Sequence, residues 1–227
     1  MAHPHRCREG LAVTTPAASS PELLTLHAVR LKGMADDAQV AARFSLDPAA
    51  TSELLLDFQA VGWVTKVDFA GTGGWTLTGS GKAQNERQLA EELAATGSRS
   101  AVHGAYLEFL PRNDRLLRAS TDWQLRPNST DPLAANDHSD DEWDRRVLDE
   151  LSALSHDLRT MCHTLSGALA RFSGYDDRFA AALDRAKRGE HSWVNGPRAD
   201  SCHTVWMELH EDLLATLSIR RGAEPAA

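Results

Sequence analysis

The sequence predicts a mainly α-helical protein with one small β-hairpin, built as an N-terminal unit of three helices and a hairpin followed by a C-terminal helical bundle. Three observations carry this expectation. Between residues 21 and 62, proline and glycine bracket short apolar runs as helix starts and stops require. Two segments rich in β-branched and aromatic residues then flank a glycine-containing turn. From Asp140, the apolar residues Trp143, Val147, Leu151, Leu154, Leu158, Met161, Leu165, Leu169 and Phe172 recur at steps of three and four, which is the period of a helix with one buried face.

Each element has a local cause. Ser20 caps a first helix at Pro21, whose Leu23, Leu24, Leu26, His27 and Leu31 share one side until Gly33 stops it. Asp36 caps a short second helix with Val40, Ala41 and Phe44 inward. Asp47-Pro48 starts a third, carrying Leu54, Leu55, Phe58 and Val61 and ended by Gly62. The strands are WVTKV from Trp63 and GWTLT from Gly74, joined by Ala70-Gly71-Thr72-Gly73. Because that glycine-rich turn leads into a strand rather than a helix with a Lys-Ser/Thr pair, it is a wing tip and not a phosphate loop.

This order is that of a winged helix-turn-helix. The stretch GWVTK...GWTLTGSGK, with a further helix from about Lys82, resembles the MarR-like winged-helix domains common in actinobacterial regulators, over residues 22–96. The resemblance implies a third helix that enters the DNA major groove, a wing that touches the neighbouring backbone, and terminal helices that hold a homodimer together. The expected DNA-contacting residues are Thr51, Ser52 and Gln59 on the third helix, Lys66 on the wing, and Arg43 on phosphate together with Arg30, Lys32 and Lys82. The third helix nevertheless carries Asp47, Glu53 and Asp57 and no Lys or Arg, and Asp68 lies beside Lys66. A helix so charged meets phosphate repulsion.

The domain organisation expected is a flexible lead-in over residues 1–20, a winged helix over 21–98, and a helical ligand-binding or dimerisation domain over 99–227. Within the last, Pro127, Pro132 and several Asn, Asp, Ser and Thr residues mark a linker at about 126–138. The helices of this part are placed at about 100–119, from Asp140 to a stop at Gly174, at about 176–188, and at 201–217. The first 130 residues carry 13 Lys/Arg and 14 Asp/Glu, the remainder 11 and 18, so the overall charge of -8 comes mostly from the C-terminal part.

The final helix, SCHTVWMELHEDLLATL, holds the least ordinary residues. At 100° per residue His203 and His210 fall in one sector with Met207 and Leu214, and Trp206 borders it, while Glu208 and Asp212 take the opposite side. A histidine turned toward a core needs partners for both ring nitrogens. Asp200 and the clusters Asp122-Trp123-Gln124 and Asn136-Asp137-His138 are candidates to meet it, giving a pocket of Asp122, Trp123, Gln124, Asp137, His138, Asp200, His203, Trp206 and His210 for a small organic ligand. In an enzyme, His203, His210, Asp122 and His138 would do the acid-base work. The two final-helix histidines stand about 10 Å apart along the axis and cannot chelate one ion, so neither a metal nor another cofactor is expected. His156 and His163 fall on the solvated side of the long helix, and Cys202 reads as a small buried thiol.

The acidic balance excludes a protein that coats nucleic acid or anionic membrane by bulk charge. No apolar run suits a membrane helix, the first residues lack the apolar stretch of a secretion signal, and three scattered cysteines make no disulfide framework, so a reduced, cytoplasmic protein is expected. Three functions stay open: a ligand-responsive, DNA-binding transcriptional regulator; an enzyme or ligand-binding protein that keeps the winged helix as scaffold; and a module whose winged helix docks a protein.

Overall fold

A computed structural model describes residues 18–69, 72–197, 200–220 and 222. The chain begins with α1 (Pro21–Lys32), α2 (Asp37–Arg43) and α3 (Pro48–Ala60). Ser20, Asp36 and Asp47 each accept a backbone N–H of the following first turn, and Gln39 returns a bond to Asp36 N, so the starts are set by side chains visible in the sequence. Strands β1 (Val64–Phe69) and β2 (Thr72–Leu77) pair antiparallel from Val64↔Leu77 to Phe69↔Thr72. Thr72 and Gly73, expected in the turn, therefore belong to β2. Ala70 and Gly71, like most of the expected lead-in over 1–20, lie outside the described residues.

Two glycines let the backbone close on itself here. Ala35 pairs with Trp75 as a third rung beside the hairpin, and a Cβ on Gly74 would sit 2.9 Å from Ala35 N. At Gly81, in the first turn of α4 (Gly79–Thr96), a Cβ would lie 1.9 Å from Trp63 O. Thr78 caps α4 and also donates to Gly62 O at 2.7 Å, which ties the helix start to the end of α3. Leu26, Val29, Val40, Leu55, Phe58, Val64 and Trp75 form the core between these elements, with the Trp75 indole N–H donating to Asp37 Oδ1 at 2.8 Å.

The rest is helical: α5 (Arg99–Gln124), α6 (Asp141–Ala168), α7 (Tyr175–Lys187), a single turn α8 (Ser192–Asn195) and α9 (Cys202–Leu217). Helix α5 runs five residues past the expected end at 119, so Thr121 to Gln124 form its last turn. Pro111 lies on its exposed side, where the missing N–H leaves the core undisturbed. The segment after it is ordered: Asn128 accepts from Thr130 N and Asp131 N, and Leu125 pairs with Ala135. The apolar period of α6 predicts one helix up to Gly174, but the structure ends it at Ala168. Leu169 turns extended, and a 3-10 turn (Ala170–Phe172) swings Arg171 and Phe172 into the interior. Periodicity cannot report that break, because Leu169 and Phe172 remain buried on either path.

Tyr106, Phe109, Leu116, Leu151, Leu158, Phe172, Tyr175, Phe179 and Trp206 fill the second and larger core. Helix α9 joins the two halves, packing against α5 and α7 on one side and α1 and α4 on the other. Among the described residues, no helix is long and apolar enough to cross a membrane.

Candidate functional site

Helix α3 stands with one side buried through Thr51, Leu55 and Phe58 and the other exposed through Ala49, Ala50, Glu53, Leu56, Asp57 and Ala60. Of the residues expected to touch DNA, Gln59, Lys66 and Lys82 are exposed, with the Lys66 ammonium 5.1 Å from the Trp75 ring centre. Ser52 is half-buried and donates to Asp37 Oδ2 at 2.7 Å. Thr51 is enclosed and donates to Asp47 O, so it is not a base-contacting residue. Arg43 is also withdrawn from solvent: its guanidinium lies between the Phe44 and Tyr175 rings, 4.4 and 4.3 Å from their centres, and 3.4 Å from Glu208. Arg30 bonds Glu211 and Glu86, and Lys32 reaches Asp200 and Glu208, which removes both from the phosphate-contacting set. The acids responsible lie largely on or just before α9, more than 150 positions away in the chain for most of these pairs.

Those acids make α9 a helix buried on both sides. Val205, Trp206, Leu209 and Leu213 enter the large core, while Glu208 and Asp212 on the other side are 3% and 0% exposed. Asp212 accepts from the Arg171 guanidinium, from Tyr175 OH at 2.9 Å and from Thr216 OH at 3.1 Å, and lies 3.1 Å from His27 Nε2. Arg171 also donates to Glu92 at 2.8 Å and Thr216 at 2.7 Å. Glu208 holds Arg178 and Lys32 at 2.7 and 2.8 Å, and Asp200 bridges the same two cations at 2.9 Å each. The carboxylates Glu92, Asp200, Glu208 and Asp212 thus face the cations Lys32, Arg43, Arg171 and Arg178, and the cluster is neutral as a whole. That neutrality is what allows charge to sit at this depth.

Its titration follows from position. Burial would raise the Asp212 pKa, but the Arg171 charge and His27 outweigh it and hold the carboxyl far below its ordinary range. Asp200 is pulled down to about 2 in the same way, Arg178 and Lys32 overcoming the effect of burial. For His27 burial wins over Asp212, and the pKa falls below 6.5. A neutral imidazole fits both neighbours when Nε2–H donates to Asp212 and the Asn85 amide, 3.2 Å from Nδ1, turns its NH2 to that nitrogen. Burial also pushes the Cys162 and Cys202 thiols up to about 12, which leaves them protonated and unreactive.

The pocket expected at α9 does not form as one site. His210 is buried against the Phe109 ring at 5.1 Å, and Trp206 stacks on Phe109 and donates to Asn113 at 3.2 Å. His203 is half-buried, and burial lowers its pKa. Asp200 belongs to the ion cluster. Trp123 meets the connecting segment instead, ten residues beyond Asn113 on the same helix and so about 15 Å away along its axis. His203, His210, Asp122 and His138 are therefore not a single acid-base constellation.

Around Trp123 a second cluster closes. Its ring centre lies 4.6 Å from that of His138 and 5.5 Å from that of His191, and the two imidazoles are 4.2 Å apart. His138 Nδ1 is 2.8 Å from Asp144 Oδ2, and the Asn136 amide donates to Asp144 Oδ1 at 2.8 Å and Trp123 O at 3.2 Å. Gln124 and Asp137 are exposed, as is Asp122, whose carbonyl accepts the Trp143 indole N–H. Asn136 comes from the polar cluster expected to meet the final helix, whereas nothing in the sequence points to Asp144 or His191. His191 sits in a turn between α7 and α8, and no local pattern connects it with residue 138. A cavity of about 300 Å³ opens between α5 and α6, lined by Arg115, Arg118 and Asp122 from the former and Trp143, Arg146 and Glu150 from the latter.

No protein-family model, curated protein or solved structure matches the chain.

Proposed function

We propose that this chain is a winged-helix transcriptional regulator, of the kind MarR-like proteins exemplify, that contacts DNA through α3 and the hairpin and responds to a small molecule held by its helical part. The observation that carries the reading is the presentation of α3: a capped helix buried on one side only, beside a hairpin braced by the Ala35–Trp75 rung. Gln59 and Lys66 are the groups it offers to base and phosphate, with Lys82 at the start of α4. The cavity between α5 and α6 supplies the ligand site. There Arg146 lies over the Trp143 ring and Arg118 lines the wall, a combination suited to a small anion with an apolar body. A homodimer would have to use a face other than α1 and α9, both of which are buried inside the chain; α5 exposes Leu107 and Leu117.

A second reading has its own observation. Met34, Leu56, Val61 and Val67 are exposed on the α3 and hairpin side, among Glu53, Asp57 and Asp68. Such a face suits a protein with a basic, partly apolar surface. Fluorescence anisotropy against DNA from immediately upstream of the chain's own gene, at low and near-physiological salt and with an unrelated duplex as control, separates the two. Selective binding that survives the higher salt and is lost in Lys66→Glu supports the regulator. Equal or absent binding to both duplexes overturns it and leaves α3 as a docking face.

A further inference from the structure

We propose that His138, Asp144 and His191 form a site for a divalent transition metal, with zinc the best match. The three side chains come from separate elements, the segment after α5, the first turn of α6 and the turn before α8, and each brings a ligand atom to within 4.8 Å of the others. Two imidazoles and one carboxylate are the donor set of sites that hold zinc through three protein groups and keep a fourth position for water. Calcium and magnesium, which take oxygen donors almost throughout, fit it poorly.

Three further features build the site. His138 has a backbone φ of 57°, a left-handed conformation that a non-glycine residue holds only when its surroundings fix it, and here the ring is fixed against Trp123 and Asp144. Asn136 holds the second oxygen of Asp144, and so sets the carboxylate's direction as the outer partners of metal ligands do. The Trp123 indole N–H donates to His191 O at 3.3 Å and anchors that turn. Tetrahedral ligands around zinc are about 3.3 Å apart. The His138–Asp144 pair, at 2.8 Å, is already near that spacing, and His191 is exposed, which leaves its ring free to close the remainder.

The site stands independently of DNA binding, and its test reads the metal itself. Zinc is titrated into the full chain in competition with a chromophoric chelator, in a background where His3, His5 and Cys7 are alanine so that the first residues add no donors. The expected result is one saturable equivalent per chain, weakened about 100-fold or more in His191→Ala and at least about 10-fold in Asn136→Ala, with His163→Ala, an exposed histidine elsewhere on α6, unchanged. Cobalt in place of zinc should give the visible absorption of a tetrahedral ion. Because His191 is exposed, its variant keeps the wild-type circular dichroism, and the loss reads the ligand rather than the fold. Failure to bind one saturable equivalent, or equal binding in His191→Ala, overturns the proposal.

Discussion

Replacing Asp212 by alanine removes the acceptor on which Arg171, Tyr175, Thr216 and His27 converge. The Arg171 side chain, 0% exposed, would keep only Glu92 and the Thr216 hydroxyl as partners. Breaking a buried ion pair from one side costs about 3–5 kcal/mol, because the surviving charge stays desolvated. In a chain of this size 1 kcal/mol shifts the melting temperature by about 2–4 °C, so Asp212→Ala should melt about 6–20 °C lower. Differential scanning calorimetry measures this directly. Asp212→Leu combined with Arg171→Met removes both charges and should melt above Asp212→Ala. A fall of less than about 2 °C in the single variant, under about 1 kcal/mol, would show that the cluster is solvated or rearranges freely, and the argument from burial would be refuted.

Two further outcomes follow from the same geometry. The folded-state pKa of His27 lies below 6.5, so the unfolded chain binds the extra proton first, and the His27 contribution is intact above about pH 6.5 and lost as pH falls below it. Asp212, also depressed, adds a second loss below the ordinary carboxylate pKa of 3.8. The urea midpoint should therefore drop between about pH 7 and pH 5, and His27→Gln should flatten that step; an unchanged step in the variant assigns it elsewhere, His203 being the next candidate. At Gly81 the added methyl of alanine meets the Trp63 carbonyl, and Gly81→Ala should cost about 1–3 kcal/mol or more, whereas Gly104→Ala on α5, with nothing near its Cβ, should gain about 0.5–1 kcal/mol. Denaturant titration checks both, and equal effects would contradict the close approach.

What could be read in the sequence was what depends on neighbours a few residues apart. The caps at Ser20, Asp36 and Asp47, the stops at Gly33 and Gly62, the hairpin and the amphipathic period of α6 all act locally, and the folded elements start within a few residues of where those signals stand. The end of α6 was hidden because what the chain gains by leaving the helix at Leu169 includes the pairing of Arg171 with Asp212, 41 residues later. The same holds for the site residues. Arg43 reads as a surface cation until Glu208 is placed beside it, and the opposite side of α9 reads as a solvent face until four cations arrive to meet it. Trp123 and His138 stand in polar, aromatic clusters of the sequence and do touch, but their partner His191 comes from a turn whose composition says nothing of its destination.

Helix α1 has no outward side between Thr25 and Val29, where every residue is 0% exposed. Leu26 and Val29 serve the small core, Leu23 packs with Leu89 and Ala215, and His27 completes the charge cluster of α9. The chain therefore cannot be divided at its apparent seam. A fragment ending near residue 98 would carry a bare apolar strip and an imidazole cut off from its acid, and the hairpin and α3 could not be transplanted to another protein as a working reader without α9. Any grafting or truncation has to treat the first helix and the last as one part.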